Sequence, residues 1–329
     1  VKRFDTFQEL NYSTKVGPVA ITPYVTFRET FYSRTAEKAQ SVSRGQIGAG
    51  VEATTRIWRV FNVSTDLWGL DINNLRHIIV PKARYDNMQK PTIDSWKFYQ
   101  MDEIDNLSEA NGVDLSIENK LQTKSRAGTG ATSRDLIRFI ASTRYNFRMK
   151  KNWFEFDKTN RFSDFEFNLE LRPYDWFFMN GLMELDQENY AVSTINASTA
   201  LNLGNTFHLT GGYRYEKLMP HSRNLFIIDA NYKINPILRI GVYERFDVQL
   251  KAIEEQQLSM TIDLHCWELE FVYNVDGSRF FYDEFSLWFA FKVKAFPDLQ
   301  VGLKRMFSRR PPGSLSTTEA MEKRRVGSN

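Results

Sequence analysis

Apolar and polar residues alternate through most of the chain. Leu258, Met260, Ile262 and Leu264 are interleaved with Ser259, Thr261, Asp263 and His265, and Trp267, Leu269, Phe271 and Tyr273 with Glu268, Glu270 and Asn274. Phe285, Leu287, Phe289, Phe291 and Val293 follow the same rule, as do Phe165, Phe167, Leu169 and Leu171 against Glu166, Asn168, Glu170 and Arg172. Earlier, Val113, Leu115 and Ile117 alternate with Asp114, Ser116, Glu118 and Lys120. A helix would scatter these apolar residues around its circumference, whereas a strand puts them on one face. The pattern predicts about fifteen strands, most of them roughly 9–14 residues long. Soluble strands centre on about 5–6 residues, while a tilted membrane strand needs about 9–11. So many long strands with no helical segment between them leave edges and apolar faces that a soluble fold cannot cover. The expected fold class is therefore all-β, a large antiparallel transmembrane barrel. Its charged positions, Lys120, Glu166, Glu170, Arg172, Glu268 and Glu270, are candidates for lining the lumen or meeting a plug.

The connections give a second test, because barrels alternate short periplasmic turns with longer external loops. Lys15–Pro18, Pro173–Asp175, Gly204–Asn205, Ile234–Pro236 and His265–Cys266 read as tight turns. Ser33–Ser43, Asn87–Ala110, Arg148–Phe162, Lys217–Ser222 and Val275–Tyr282 read as the longer set. Asn62–Asn74 reads as a long connection where a short one is due, and the turn near Gln187 as the reverse. The rhythm puts the end of the last spanning strand, Glu284 to Lys294, on the periplasmic side with an unpaired edge. Residues 1–307 are expected to form the barrel part and 308–329, which lack periodicity, a disordered periplasmic tail.

Composition changes the picture in a few places. No apolar run is long enough for a spanning helix. Aromatic residues make up 14% of a chain whose mean hydropathy is −0.45, which suits aromatic girdles on an otherwise polar barrel. A scattered net charge of +3 does not point to nucleic acid. Cys266 is the single cysteine, so no internal disulfide forms. The four histidines, His77, His208, His221 and His265, stand in no nucleophile or metal-ligand spacing, so the chain reads as non-enzymatic and without cofactor or metal. It opens at Val1 already in a strand-like pattern, which reads as a mature or internal fragment.

Several segments resemble the carboxyl-terminal barrel of the LptD family, which assembles lipopolysaccharide at the outer membrane. Arg3-Phe4-Asp5, then Ile21-Thr22-Pro23 and Arg28-Glu29-Thr30-Phe31-Tyr32, are similar to the family's paired strands. Leu75-Arg76-His77-Ile78-Ile79-Val80-Pro81 resembles its Leu-x-His-x-x-Glu-Pro element, with Val80 in place of Glu. Asp102-Glu103-Ile104-Asp105-Asn106-Leu107 leads to Asn119-Lys120-Leu121 as its acidic loop leads to a strand, and His265-Cys266-Trp267-Glu268-Leu269 sits where members carry cysteine. The resemblance implies a barrel of about 26 strands, of which this chain is the later part. It also implies a disulfide from Cys266 to a periplasmic domain outside this chain. The implied partners are lipopolysaccharide, a plug lipoprotein of the LptE type, a periplasmic bridge of the LptA type and the barrel-insertion machinery, and the implied location is the outer membrane.

His77, Pro81, Pro23, Asp102 and Asp105 are the candidate gate or family-motif positions. Each has a plainer reading. His77 is then a strand-end residue bonded to carbonyls, and the two prolines mark bulges or weakened pairing. Asp102, Glu103 and Asp105 are either ligands for cations that bridge lipopolysaccharide phosphates or solvated surface acids. A passive porin and a surface adhesion protein are the competing functions.

Overall fold

The computed structural model describes residues 1–36, 40–124, 133–147, 161–217, 222–276, 284–295 and 300–302. The expected tail and the connections at 148–160, 218–221 and 277–283 lie outside them. The described residues are all-β and antiparallel, as the alternation requires, with two single-turn 3-10 segments among them. It divides into two compact units, residues 1–169 with 184–192, and residues 170–183 with 193 onward.

In the first unit, β1 (Arg3–Asn11) and β2 (Thr14–Val16) both pair with β3 (Val19–Tyr32), which pairs with β4 (Val42–Thr55). β4 and β5 (Ile57–Thr65) both pair with β6 (Ile72–Met88), followed by β7 (Ala110–Lys124) and β8 (Ser133–Asn146). Two of the divisions have one cause. Thr54 faces Lys82 and Ile57 faces Ile79 in the same register, so β4 and β5 are one run, interrupted where Pro81 offers no ladder donor. Asn11 faces Tyr24 and Thr14 faces Ile21, so β1 and β2 are likewise one run, broken opposite Pro23. The Tyr12 amide still donates to the Pro23 carbonyl, and the reciprocal bond is the one proline cannot make. Neither proline sits in a register shift.

β9 (Phe165–Tyr174) and β10 (Phe177–Leu185) each have residues in both units. The second unit is a ladder in chain order: β11 (Val192–Leu203), β12 (Phe207–Lys217), β13 (Ser222–Lys233), β14 (Leu238–Asp247), β15 (Ala252–Asp263), β16 (Trp267–Asp276), β17 (Glu284–Val293) and β18 (Gln300–Gly302). Counting each proline-broken pair once and setting aside the three-residue β18 leaves fifteen long strands among the described residues, matching the alternation.

Two expectations need correction. Asn62–Asn74 is not a long loop: β5 runs to Thr65, β6 starts at Ile72, and a 3-10 turn at Leu67–Gly69 joins them. The edge of Glu284 to Lys294 is not wholly free, because β18 pairs Gly302, Val301 and Gln300 with Ala290, Phe291 and Lys292. Otherwise the ladders are open, as a part of a barrel must be. Among the described residues β1 does not pair with β8, nor β11 with β18.

Candidate functional site: a charged wall, its cap and an apolar band

Strand register sorts the first unit into two unlike faces. One row across β3, β4, β6, β7 and β8 reads Thr22, Glu52, Arg84, Asp114, Arg144, and the adjacent row on the other face reads Ile21, Ala53, Ala83, Leu115, Thr143. On the polar face opposite charges meet within one row and between neighbouring ones. Arg144 reaches Asp86 at 2.6 Å and Asp114 at 2.9 Å, Lys82 meets Glu52 at 2.8 Å, and Arg138 meets Glu118 at 2.5 Å. Lys120, a sequence candidate, lies on this face 3.3 Å from Glu118. Glycines make room for the long side chains. Tyr24 lies across Gly50 so that Arg84 donates to its hydroxyl at 3.0 Å and stacks on its ring at 4.5 Å, and a Cβ on Gly50 would sit 2.5 Å from the tyrosine ring. The result is a wall of fixed charges of both signs.

One end of the wall is capped. The segment after β6 carries a 3-10 turn at Ser95–Lys97 and folds back over β1, β3 and β4. Asp105 is fully buried there, accepting from Tyr32 at 2.7 Å, Arg3 at 2.9 Å and the Met101 amide at 2.9 Å. Arg44, 1% exposed, donates to the carbonyls of Asp105 at 2.9 Å and Leu107 at 2.6 Å. Phe98 stacks on Tyr32 at 4.1 Å and lies under the Arg44 guanidinium. Burial alone would raise the Asp105 carboxyl, but the bonds from Tyr32, the Met101 amide and Arg3 outweigh it and hold it below the ordinary range. Asp102 is also held low, chiefly by its hydrogen bond from Arg3. Both acids thus already have partners within the chain, Asp105 buried and Asp102 at the surface, and no group of three metal-ligand residues occurs among the described residues.

The opposite face is apolar and uncovered. Val25, Phe27, Ile47, Leu115, Ile117 and Ile137 are large exposed residues on it. Such a continuous apolar surface marks a membrane or a partner. Along the β4–β5 run the positions on this face stay uncharged and mostly apolar from Ile47 through Ile57, eleven residues, the length a tilted membrane strand needs. Glu29, opposite Gly45, lies at one limit of this band, and Arg59, opposite His77, at the other. A depression of about 460 Å³ lies within the band, floored by Ala53, Ala83 and Ala141 and walled by Ile117, Phe165 and Phe167.

The remaining sequence candidates separate. His77 shares the face of Ile79 and Pro81, away from the charged wall and well inside β6. Glu166 and Glu170 are half-buried on β9, and Arg172 is exposed. In the second unit, Glu268 stands between Asp263 and Lys292, and Glu270 faces Thr261 and Ala290, on the face opposite the row Leu201, Leu209, Ala230, Val242, Leu258, Tyr273, Leu287. Lys294 pairs with Asp263 beside this position. Cys266 is an exposed free thiol in the β15–β16 turn. Arg245 escaped the sequence reading. It is nearly buried, reaching Glu254 at 2.8 Å and Glu255 at 3.2 Å, and only the β14–β15 register, in which Arg245 faces Glu255, brings that cluster together.

No curated protein matches the chain. The model of the family described as LptD, LPS transport system D, matches residues 1–238, and the chain belongs to that family.

Proposed function

We propose that this chain supplies strands of an outer-membrane barrel that places lipopolysaccharide in the outer leaflet. The observation that carries the reading is the opposition of faces in a chain of the LPS transport family: paired charges on one side, an eleven-residue apolar band on the other. A sugar and phosphate headgroup needs an aqueous path whose walls offer both signs of charge, and a wall whose arginines already have carboxylate partners does not trap a phosphate. The acyl chains need hydrocarbon, which the other face adjoins. The cap held by Asp105 and Arg44 closes the external end in this account, and the Gly17 turn and the β5–β6 hairpin lie at the periplasmic end.

The protein acts by transport and assembly, not by catalysis. Its partners on this reading are lipopolysaccharide, an LptE-type plug lipoprotein, an LptA-type bridge and the barrel-insertion machinery, with Cys266 joined to a periplasmic domain of the intact protein. Depletion of the full-length protein followed by staining of surface lipopolysaccharide tests the proposal. Loss of surface lipopolysaccharide with internal accumulation supports it. Normal surface lipopolysaccharide with altered uptake of small solutes would make the protein a porin.

A further inference from the structure

The β5–β6 hairpin continues past the point where β3 stops. Val19, the first residue of β3, faces Thr55, and beyond it the chain turns at Gly17. β5 then runs on for nine residues, roughly 30 Å, paired only with β6 among the described residues. From Ile57 to Phe61 its outer edge, in line with β3, pairs with no other strand among the described residues. β6 is backed by β7 and β7 by β8 as far as Gln122 and Asp135, so this edge belongs to a sheet and is a firm template. An open edge does not occur in hydrocarbon, and the apolar band ends at Arg59, so most of this edge lies outside the membrane.

The side chains beside this edge are distinctive. Arg56, Arg59 and Arg76 have no carboxylate partner among the described residues, whereas Arg3, Arg28, Arg84, Arg138 and Arg144 of the same unit have one, and the buried Arg44 gives its donors to carbonyls. Arg59 lies over the Phe61 ring at 5.1 Å and Arg76 over the Trp58 ring at 5.0 Å, so both guanidinium groups are already oriented. Ile57, Trp58, Val60, Phe61 and Val63 are exposed, and the hairpin tip carries Leu67 and Trp68, the latter 82% exposed with φ of 57°. Natural proteins blunt a free edge with proline, inward charge or shortness, and over Ile57–Phe61 this one has no proline and keeps regular register up to the bulge at Phe61/Ser64.

We propose that the outer edge of β5 is a docking site for an extended polypeptide segment of a periplasmic partner, added to the sheet as the next strand, with acidic residues beside Arg56 and Arg59 and apolar ones beside Ile57, Trp58 and Phe61. Main-chain bonds supply the affinity, and the carboxylates set register and partner choice. The placement in the periplasm rests on the membrane reading above, while the docking chemistry does not.

The test uses the full chain folded in detergent and a blocked nine-residue peptide of Val and Thr with two Glu three positions apart, so that one carboxylate meets Arg56 on one face and the other Arg59 on the opposite face, carbonyl-labelled with carbon-13. Binding by fluorescence anisotropy, with the labelled amide band moving to the β-sheet position, is the expected result. Replacing Glu by Lys in the peptide, or making Arg56→Glu with Arg59→Glu in the protein, should weaken binding at least tenfold. The protein variant should keep its heat-modifiable gel mobility, and it should bind the Lys peptide in place of the Glu one. Absence of binding at millimolar peptide, or binding without the infrared shift, overturns the proposal. Loss of binding in the presence of phosphatidylglycerol vesicles that themselves bind the hairpin would make it a lipid-surface site instead. Failure here with loss of surface lipopolysaccharide on depletion removes only the docking site, and the converse pair of results removes only the transport reading.

Discussion

Replacing Asp105 by alanine should release the cap. The side chain is fully buried and serves Tyr32, Arg3 and the Met101 amide within 2.9 Å, so its loss strands a tyrosine hydroxyl and leaves Arg3 with Asp102 alone. Removing one member of a buried ion pair typically costs about 3–5 kcal/mol, because the surviving partner remains desolvated. That corresponds to roughly two to four powers of ten in the opening equilibrium of the segment, bounded by its full release. Amide hydrogen exchange across residues 94–107 of the folded protein reads this directly, with the β3–β4 ladder as internal reference. Asp102→Ala is the control. Its side chain is 46% exposed, water can replace what it gives Arg3, and exchange should rise far less. Unchanged protection in the Asp105 variant, or equal loss in both variants, would refute the argument that burial makes Asp105 the anchor.

The same carboxyl gives the cap a pH dependence. Because Asp105 is held below its ordinary value of 3.8 in the folded state, its contribution is complete above that value and disappears as pH falls through the lower folded value. Cap protection should therefore be flat from neutral pH to about pH 5 and drop only in strong acid. Gly50→Leu puts a side chain where Tyr24 crosses to Arg84, and overpacking of this kind costs about 1–3 kcal/mol. The folded fraction on a heat-modifiable gel should fall at a lower temperature than for the parent. Pro81→Ala restores a donor opposite Thr55 and should add about 0.5–1.5 kcal/mol, seen as a higher urea midpoint.

Much of the fold was legible because period-2 alternation is a local property. The row Leu258, Tyr273, Leu287 in the structure is the alternation of three separate segments brought side by side. The signal failed at the end of β5, where Ile57, Trp58, Val60, Phe61 and Val63 put apolar residues on both faces and the bulge at Phe61/Ser64 breaks parity, so Asn62–Thr65 and the start of β6 passed for part of a loop. β18 is too short to show any period. The cap was hidden for a different reason. Asp105 takes its bonds from Arg3 and Tyr32, and Arg44 reaches its carbonyl, so the partners lie 61 to 102 residues away and only strand register brings them together. His77 was legible in principle, since it has the parity of Ile79 and Pro81 and so belongs to their face.

In the proposed function the two faces of these strands meet different surroundings, the polar wall the lipopolysaccharide path and the apolar band lipid. Ser116 and Ile117 are neighbours on β7 that point to opposite faces. A photo-crosslinking amino acid placed at each, in the full-length protein in growing cells, distinguishes them. The account predicts a lipopolysaccharide adduct at Ser116 that vanishes when lipopolysaccharide synthesis is stopped, and a phospholipid adduct at Ile117 that persists. A lipopolysaccharide adduct at neither position, or the same adducts at both, would contradict it.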